Sequence, residues 1–222
     1  MMCRMALLVG LASFMCFVGG AAKAEQIDAC SSPLSDAIAN SCVVSLGTLW
    51  RGSKPDSVGA AALLSLGVKT VINLELLHDD TEAFQLARPS SVLFDKLYYF
   101  RIHEWEPNVV VAPSVLDAHV AEFLAIVKTQ PKPLYVHCRS GQNRTGVMVA
   151  AYRVLLEGWC TESAVVEMGR YKGIWFKQDA EYINSLTGQH RATVESAIQS
   201  KLKNVRPKVS WDCSVQGCIP SK

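Results

Sequence analysis

Residues 134–146 read Leu-Tyr-Val-His-Cys-Arg-Ser-Gly-Gln-Asn-Arg-Thr-Gly, and this stretch decides the fold. Its first residues are apolar, which predicts a buried strand that ends at His137. A helical pattern begins at about Thr145. A strand followed by a short loop and a helix presents backbone N–H groups at a helix N-terminus, where the helix dipole also favours negative charge. The stretch therefore predicts an anion-binding loop at the end of a buried strand.

Two side chains of this loop have the chemistry to act on a tetrahedral oxyanion. Cys138 opens the loop and Arg144 closes it. A guanidinium donates two parallel hydrogen bonds to two oxygens of one anion. The same positive field favours the thiolate form of Cys138, which is the nucleophilic form. Gly141 permits the tight curl of the loop because it has no Cβ.

The loop resembles the signature loop of the cysteine-dependent protein tyrosine and dual-specificity phosphatases, in which His-Cys is followed by five residues, Arg, and Ser or Thr. The match at His137, Cys138, Gly141, Arg144 and Thr145 is specific. The resemblance to small atypical dual-specificity phosphatases extends over about residues 45–186. It rests also on residues 49–53, 66–74, 151–153, 157–159 and 167–168.

The resemblance implies a role for each residue of the loop. Cys138 attacks phosphorus and forms a cysteinyl-phosphate, and Arg144 binds the phosphate and stabilises its equatorial oxygens. Thr145 hydrogen-bonds the thiolate, and His137 orients the loop from behind. No metal or other cofactor is implied, because the arginine and the loop supply the positive charge. The phosphate-binding residues are Arg139, Ser140, Gly141, Gln142, Asn143 and Arg144.

The general acid is less clearly marked. In the family it is usually an Asp on a mobile loop some thirty residues before the cysteine, whereas the corresponding residues 103–108 read His-Glu-Trp-Glu-Pro-Asn. Glu106, 32 residues before Cys138, is the tentative general acid. Glu104 is the alternative, followed by Asp117. The tryptophans near this region and elsewhere are predicted to be packing residues: Trp50, Trp105, Trp159 and Trp175.

The substrate class stays open at this point. A phosphorylated protein, with phosphotyrosine or dual specificity, is the first prediction. An inositol phosphate or phosphoinositide is the alternative, because residues 139–143 look like those of atypical members that act on inositol phosphates. A protein of another class, a catalytically inactive phosphate-binding module, is a further alternative. The intact Cys138–Arg144 pair argues against it. A thiol–disulfide protein is disfavoured because the chain has no Cys-x-x-Cys motif.

Residues 1–24 are predicted to form a secretory signal peptide. Arg4 gives a positive start, residues 5–22 carry no charge, and residues 22–24 form an Ala-x-Ala cleavage site. Cleavage implies an exported protein, periplasmic or secreted. An uncleaved anchor is the alternative, since a membrane span needs about 20 residues. No later apolar run reaches that length, so no stable membrane span is expected after cleavage.

Composition excludes one class of partner. The chain has 222 residues, of which half are apolar, with 22 basic and 20 acidic side chains. Both excess basic residues, Arg4 and Lys23, belong to the predicted signal, so the mature chain is formally neutral. Nucleic-acid binding, which needs a clearly basic face, is therefore not expected. The oligomeric state is not predicted.

Strands that alternate with helices predict one α/β domain with a central, mainly parallel sheet flanked by helices, a tyrosine-phosphatase-like fold. Residues 25–44 are expected to be an N-terminal extension, residues 45–204 the catalytic domain, and residues 205–222 a C-terminal tail with a Cys pair. Predicted strands cover residues 46–51, 70–74, 97–102 and 134–136, and predicted helices cover residues 56–66, 79–87, 113–128, 145–156, 162–169, 178–186 and 189–202.

Six cysteines follow the predicted signal peptide. In an exported protein disulfides are allowed. Cys30–Cys42 and Cys213–Cys218 are the local pairings, and cross-pairing of the two chain ends is the alternative. Cys138 is expected to stay free, and Cys160 is expected to be a buried thiol.

Overall fold

The computed structural model describes residues 32–221. The predicted signal peptide at residues 1–24, the start of the N-terminal extension and Cys30 lie outside the described residues. Across residues 32–221, none of the helices combines the length and the apolar character that a membrane crossing requires.

The described residues form a mixed sheet in the order β1-β2-β5-β3-β4-β6-β7. The four central strands, β2, β5, β3 and β4, are parallel, whereas the pairs at both edges are antiparallel. The predicted α/β fold with a mainly parallel sheet is therefore confirmed. The strands are β1 (Cys42–Ser45), β2 (Leu49–Ser53), β3 (Thr70–Glu75), β4 (Lys96–Glu104), β5 (Leu134–Cys138), β6 (Val209–Ser214) and β7 (Gly217–Pro220).

Helices cover both faces of the sheet, and two apolar cores result. Because both faces are covered, every residue of β3 and β5 is buried, which explains why these strands are continuous apolar runs in the sequence. The helices are α1 (Ser57–Ser65), α2 (Thr81–Leu86), α3 (Asn108–Val111), α4 (Pro113–Thr129), α5 (Asn143–Leu155), α6 (Thr161–Arg170), α7 (Lys177–Ser185) and α8 (Gly188–Lys201).

Most predicted elements are present with ends shifted by one to three residues. The cap of α1 is the one that the sequence indicates, since the Asp56 carboxylate accepts hydrogen bonds from the N–H groups of Val58 and Gly59. The prediction missed β1, β6 and β7 and the one-turn helix α3. Three of these have only four residues, so their hydrophobic pattern is too short to be distinctive, whereas β6 has six residues and lies in the segment interpreted as a tail.

The segments on either side of the predicted catalytic domain contribute to the same sheet. Residues 42–44 form most of β1, and residues 205–222 contain the hairpin of β6 and β7. Trp211 of this hairpin packs between two aromatic rings, 5.1 Å from Phe84 and 4.7 Å from Tyr99 between ring centroids. The C-terminal segment therefore supplies part of the core.

Cysteine positions agree in part with the prediction. Cys213 and Cys218 lie at disulfide distance across the hairpin, and Cys138 is the free cysteine among residues 32–221. Cys42 is also disulfide-bonded in the structure. The prediction of a buried thiol at Cys160 is wrong, because this residue precedes α6 in a half-buried position and is disulfide-bonded.

Candidate active site

The candidate site lies where β5 ends and α5 begins. Cys138 is the last residue of β5, and residues 139–142 connect it to the first turn of α5. Gly141 has a φ of +69°, and a Cβ at this position would lie 2.4 Å from the backbone carbon of Gly52. Glycine is therefore required here both for its conformation and for the close approach of the loop to β2.

Three consecutive carbonyl oxygens of the loop are held on one side. The Arg139 oxygen accepts from the Lys54 N–H at 3.4 Å, and the Ser140 oxygen accepts from Asn40 Nδ2 at 2.8 Å. The Gly141 oxygen accepts from Arg51 Nη2 at 2.6 Å. The C=O and N–H of a trans peptide point in opposite directions. The N–H groups of the loop therefore face the other side, as in an anion-binding nest.

The structure brings Cys138 and Arg144 together at this loop, and both are buried, with exposures of 2% and 9%. Arg144 is oriented by β3 and β4, because its Nη1 donates to the carbonyl oxygens of Leu74 at 3.5 Å and Glu104 at 3.3 Å. Its Nη2 lies 2.8 Å from Glu106 Oε1. The guanidinium is thus fixed by the carboxyl ends of β3 and β4, and the Glu106 carboxylate is bonded to one of its nitrogens.

The three candidate acids occupy different environments. Glu106 contacts Arg144 and keeps a side-chain exposure of 20%. Glu104 is buried, with His119 Nδ1 in very short contact and Asn108 Nδ2 donating to it at 3.1 Å. Asp117 is held elsewhere, by hydrogen bonds of 2.9 Å from the hydroxyl of Tyr182 and the ring of His190. Glu106 is the candidate whose carboxylate contacts Arg144.

Three residues that the sequence assigned to the loop, Asn143, Thr145 and Arg139, have side chains in different environments. Asn143, predicted to bind phosphate, directs its side-chain amide to the Gly173 oxygen and to Asp179 Oδ2, both at 2.7 Å. Its side chain therefore ties the loop to the segment before α7 and does not face an anion. Thr145 is fully buried, and its hydroxyl has no hydrogen-bond partner among the described residues. Arg139 is exposed at the surface of the loop.

A buried polar network supports the loop from behind. The Nε2 atom of His137 lies 2.8 Å from Asp80 Oδ2, and both side chains are fully buried. Asp80 also contacts His78 at 3.2 Å and accepts from Asn73 Nδ2 at 3.0 Å. Burial alone would raise the pKa of Asp80, but the two histidines outweigh it and hold this pKa below its ordinary value. His137 is thereby fixed in position next to Cys138.

Sequence analysis did not assign Asn40 or Asp80 to the site. The contact between Asn40 and the loop joins residues 100 positions apart, and no local pattern announces it. The prediction that the tryptophans are packing residues is also wrong for two of them. Trp105 and Trp175 are about half exposed, at 47% and 51%. Trp105 lies between Glu104 and Glu106 in the sequence. The backbone N–H of Trp175 donates to Asp179, which is also the partner of Asn143.

A buried cysteine and an arginine on one loop, at the carboxyl edge of a parallel sheet and the start of a buried helix, define the class of cysteine-dependent phosphatases of the tyrosine and dual-specificity type. Residues 36–186 match the family described as a DSP-PTPase phosphatase fused to NAD+ kinase. The chain belongs to this family.

Relatives and solved structures agree with this assignment. The chain is 31% identical over 125 residues to the dual specificity protein phosphatase TpbA of Pseudomonas aeruginosa strain UCBPP-PA14, a match that covers 55% of this chain and 50% of the relative. It is 25% identical over 140 residues to the inositol diphosphatase DSP3 of Arabidopsis thaliana, covering 62% and 65%. The chain thus spans about half the length of the first of these relatives and about two thirds of the second.

Two solved structures share the fold. The core catalytic domain of the PP-IP phosphatase SIW14 from Saccharomyces cerevisiae has a TM-score of 0.56 at 19% identity, with 77% of this chain and 98% of that chain covered. A cysteine-to-serine variant of P. aeruginosa TpbA in complex with pTyr has a TM-score of 0.50 at 23% identity, with 77% and 99% covered.

Proposed function

We propose that this protein hydrolyses phosphate monoesters through a cysteinyl-phosphate intermediate. The observation that carries the proposal is the joint position of Cys138 and Arg144 at a loop whose carbonyl oxygens are bonded away from the anion side. A thiolate, a two-pronged cation and a set of inward N–H groups are together suited to a phosphoryl group, whose charge is spread over three equatorial oxygens. Family membership supports the same activity.

The reaction follows in two steps. The Cys138 thiolate attacks phosphorus, the bond from phosphorus to the leaving oxygen breaks, and that oxygen takes a proton from Glu106. A water molecule then attacks the cysteinyl-phosphate and gives a proton back to Glu106, so that inorganic phosphate leaves and the thiolate is restored. Arg144 and the loop N–H groups bind the equatorial oxygens in both steps. Glu106 already contacts Arg144 in the free site, so substrate phosphate arrives beside its proton donor.

The preferred substrate in this proposal is a phosphorylated protein, with phosphotyrosine included. Trp105 and Trp175 are half exposed on the two segments that contact Arg144 and Asn143, and they offer apolar rims to an aryl group. Among loop residues 139–143, Arg139 is the one cation. The relatives named dual specificity protein phosphatase support this class.

An inositol phosphate or phosphoinositide is the second candidate. The relatives named inositol diphosphatase favour it, and Arg139 is exposed next to the loop, where a second phosphate group of a substrate would benefit from a cation. A strongly charged substrate would depend on Arg139 far more than a phosphotyrosine peptide would. Arg139→Ala therefore separates the two classes when both substrates are compared.

The test is a turnover assay on purified protein against phosphotyrosine, phosphoserine and phosphothreonine peptides, phosphoinositides and inositol phosphates. Cys138→Ser should abolish turnover while vanadate still binds, because the loop does not activate a hydroxyl. Arg144→Lys should also fail, because a point charge does not reproduce the bidentate contact. Substantial hydrolysis by Cys138→Ser would refute the mechanism. Tight vanadate binding by a wild-type protein that turns over none of the panel would indicate a phosphate-binding module.

We also propose that the protein is exported and cut after Ala24. Residues 1–24 support this proposal, as do the paired positions of Cys213 and Cys218, because disulfides persist in oxidising compartments. The enzyme would then act in the periplasm or outside the cell.

A further inference from the structure

Arg51 of β2 is a second buried arginine beside the loop, with an exposure of 1%. Its Nη2 donates to the Gly141 oxygen at 2.6 Å, and its Cζ lies 4.0 Å from the centre of the Tyr171 ring. Its Nε and Nη1 are buried without a hydrogen-bond partner in the part of the chain that the structure describes. The carboxylate of Glu167, which also attracts it, is held by two hydrogen bonds from Arg153.

Arg51 and Arg144 approach the loop from opposite sides. β5 lies between β2 and β3 in the sheet, and Arg144 is bonded to carbonyl oxygens at the ends of β3 and β4. Arg51 belongs to β2, which runs parallel to β5 with Ser53 opposite Cys138. Burial lowers the pKa of the Arg51 guanidinium, whereas attraction to Tyr171, Glu167 and Cys138 opposes that effect.

Asn40 holds the neighbouring carbonyl of the same loop. Its side chain is at the surface, it has a φ of +52°, and its Nδ2 donates to the Ser140 oxygen at 2.8 Å. The backbone before it is anchored to β2, since the Ala39 oxygen accepts from the Ser53 N–H at 2.9 Å and Ile38 is buried. A fixed support therefore carries the amide that bonds the loop.

We propose that Arg51 and Asn40 are positioning residues of the active-site loop, which keep the Gly141 and Ser140 carbonyl oxygens away from the bound phosphate. The inference rests on the proposed phosphatase function. In this proposal neither side chain touches the substrate, since both act through the backbone of the loop.

The loop needs such a restraint for a physical reason. Gly141 has no Cβ, so the peptide on either side of it rotates more easily than it would at another residue. A rotated peptide would direct an oxygen, in place of an N–H group, at the oxygens of a phosphate dianion. A buried cation without its own carboxylate is also costly, and an anion in the loop lowers that cost. The thiolate and the phosphate are the anions available there.

The experiment compares Arg51→Met, Arg51→Lys and Asn40→Gly with the wild-type protein. Asn40→Gly removes the amide and keeps a residue that accepts the left-handed conformation. Two matched controls are Arg153→Lys, which alters a buried arginine that contacts Glu167, and Asn204→Gly, which alters an exposed asparagine after α8. The measurements are thermal stability, vanadate affinity, and kcat and KM determined separately on an aryl phosphate.

Arg51→Met should weaken vanadate binding and kcat/KM by about 10–100-fold, the range found when a group that orients a reactive centre is removed. Arg51→Lys should restore part of the vanadate affinity, because it keeps a buried donor, but not all of it, because it lacks the fork. Asn40→Gly should reduce vanadate affinity by about three- to tenfold. The controls should change thermal stability at most.

The inference is overturned if the wild-type protein is active and both Arg51→Lys and Asn40→Gly bind vanadate as tightly as the wild type does. These two variants decide the matter even if Arg51→Met does not fold. A wild-type protein that neither binds vanadate nor hydrolyses any phosphate ester would instead refute the proposed function, and with it the basis of the inference.

Discussion

At the scale of single residues, the contact between Glu106 and Arg144 is a feature of the site without substrate. The carboxylate lies 2.8 Å from one guanidinium nitrogen, so it occupies part of the surface that a phosphate needs. Phosphate binding brings two further negative charges to the same arginine. Those charges favour the protonated form of a neighbouring carboxyl group, which is the form that a general acid requires.

Glu106→Gln should therefore slow the hydrolysis of phosphate esters with poor leaving groups by about 10²–10⁴-fold and leave an activated aryl phosphate almost unaffected. The leaving group of the activated ester needs no proton, which is why the two substrates separate. The measurement is kcat/KM on an alkyl phosphate and on a nitrophenyl phosphate.

Glu104→Gln is the matched control for this prediction. Glu104 is buried against His119 and Asn108, so its amide variant should lose stability without the same dependence on the leaving group. Equal effects of Glu106→Gln on both substrates would show that Glu106 is not the proton donor.

At the scale of elements, Asp80 connects the carboxyl ends of neighbouring strands. It precedes α2 and contacts His137 of β5, Asn73 of β3 and, through its N–H, the Tyr99 hydroxyl of β4. Asp80 thus contacts all three strands, two through its carboxylate and one through its backbone N–H. Its stability contribution depends on pH in a defined direction, because its pKa is held below the ordinary value in the folded protein.

Asp80→Asn should lower the free energy of unfolding by about 3–5 kcal/mol at neutral pH, since it removes the negative charge that the buried partners of Asp80 contact. A carboxylate with a lowered folded-state pKa stabilises above the unfolded value of about 3.9, and this contribution disappears as the pH falls through the folded value. The difference between wild type and variant should accordingly shrink below about pH 4.

Urea unfolding at neutral and acidic pH checks this prediction. Asp212→Asn is the control, because Asp212 is half exposed and lies 3.8 Å from Lys96, a pair worth less than about 1 kcal/mol. A difference between wild type and Asp80→Asn that stayed constant from pH 7 to pH 3 would contradict the assigned role of the charge.

At the scale of the whole molecule, the proposed export bears on the thiol chemistry. Cys138, the nucleophile of the proposed mechanism, must stay reduced, whereas the other cysteines among residues 32–221 are disulfide-bonded. Cys138 is buried at the base of the loop, away from the Cys213–Cys218 pair of the hairpin. Its burial is compatible with the proposed export.

Mass mapping of the unreduced mature protein should find Glu25 as the first residue, a linked Cys213–Cys218 pair, and Cys138 as the cysteine that is alkylated in the native state. The pairing is expected because the two sulfur atoms face each other across the hairpin. A start at Met1, or free thiols at Cys213 and Cys218 in protein from the periplasm or the medium, would contradict the proposed route.

The sequence by itself determined the local chemistry of this protein. Residues 134–146 place a cysteine, a glycine and an arginine at spacings that belong to one strand–loop–helix unit, so neighbouring residues carry all the information. The buried strands β3 and β5 and the cap of α1 follow from the same short range of interactions, since apolar runs and capping side chains act within a few residues.

Only the tertiary structure decided what holds that unit in place. Asn40 and Arg51 contact the loop across 100 and 90 residues, and Asp80 contacts His137 across 57. Trp211 enters the core from a segment that reads as a tail. Contacts of this kind depend on which strands become neighbours in the sheet, and the order of strands is set by the packing of the whole chain, which no local pattern encodes.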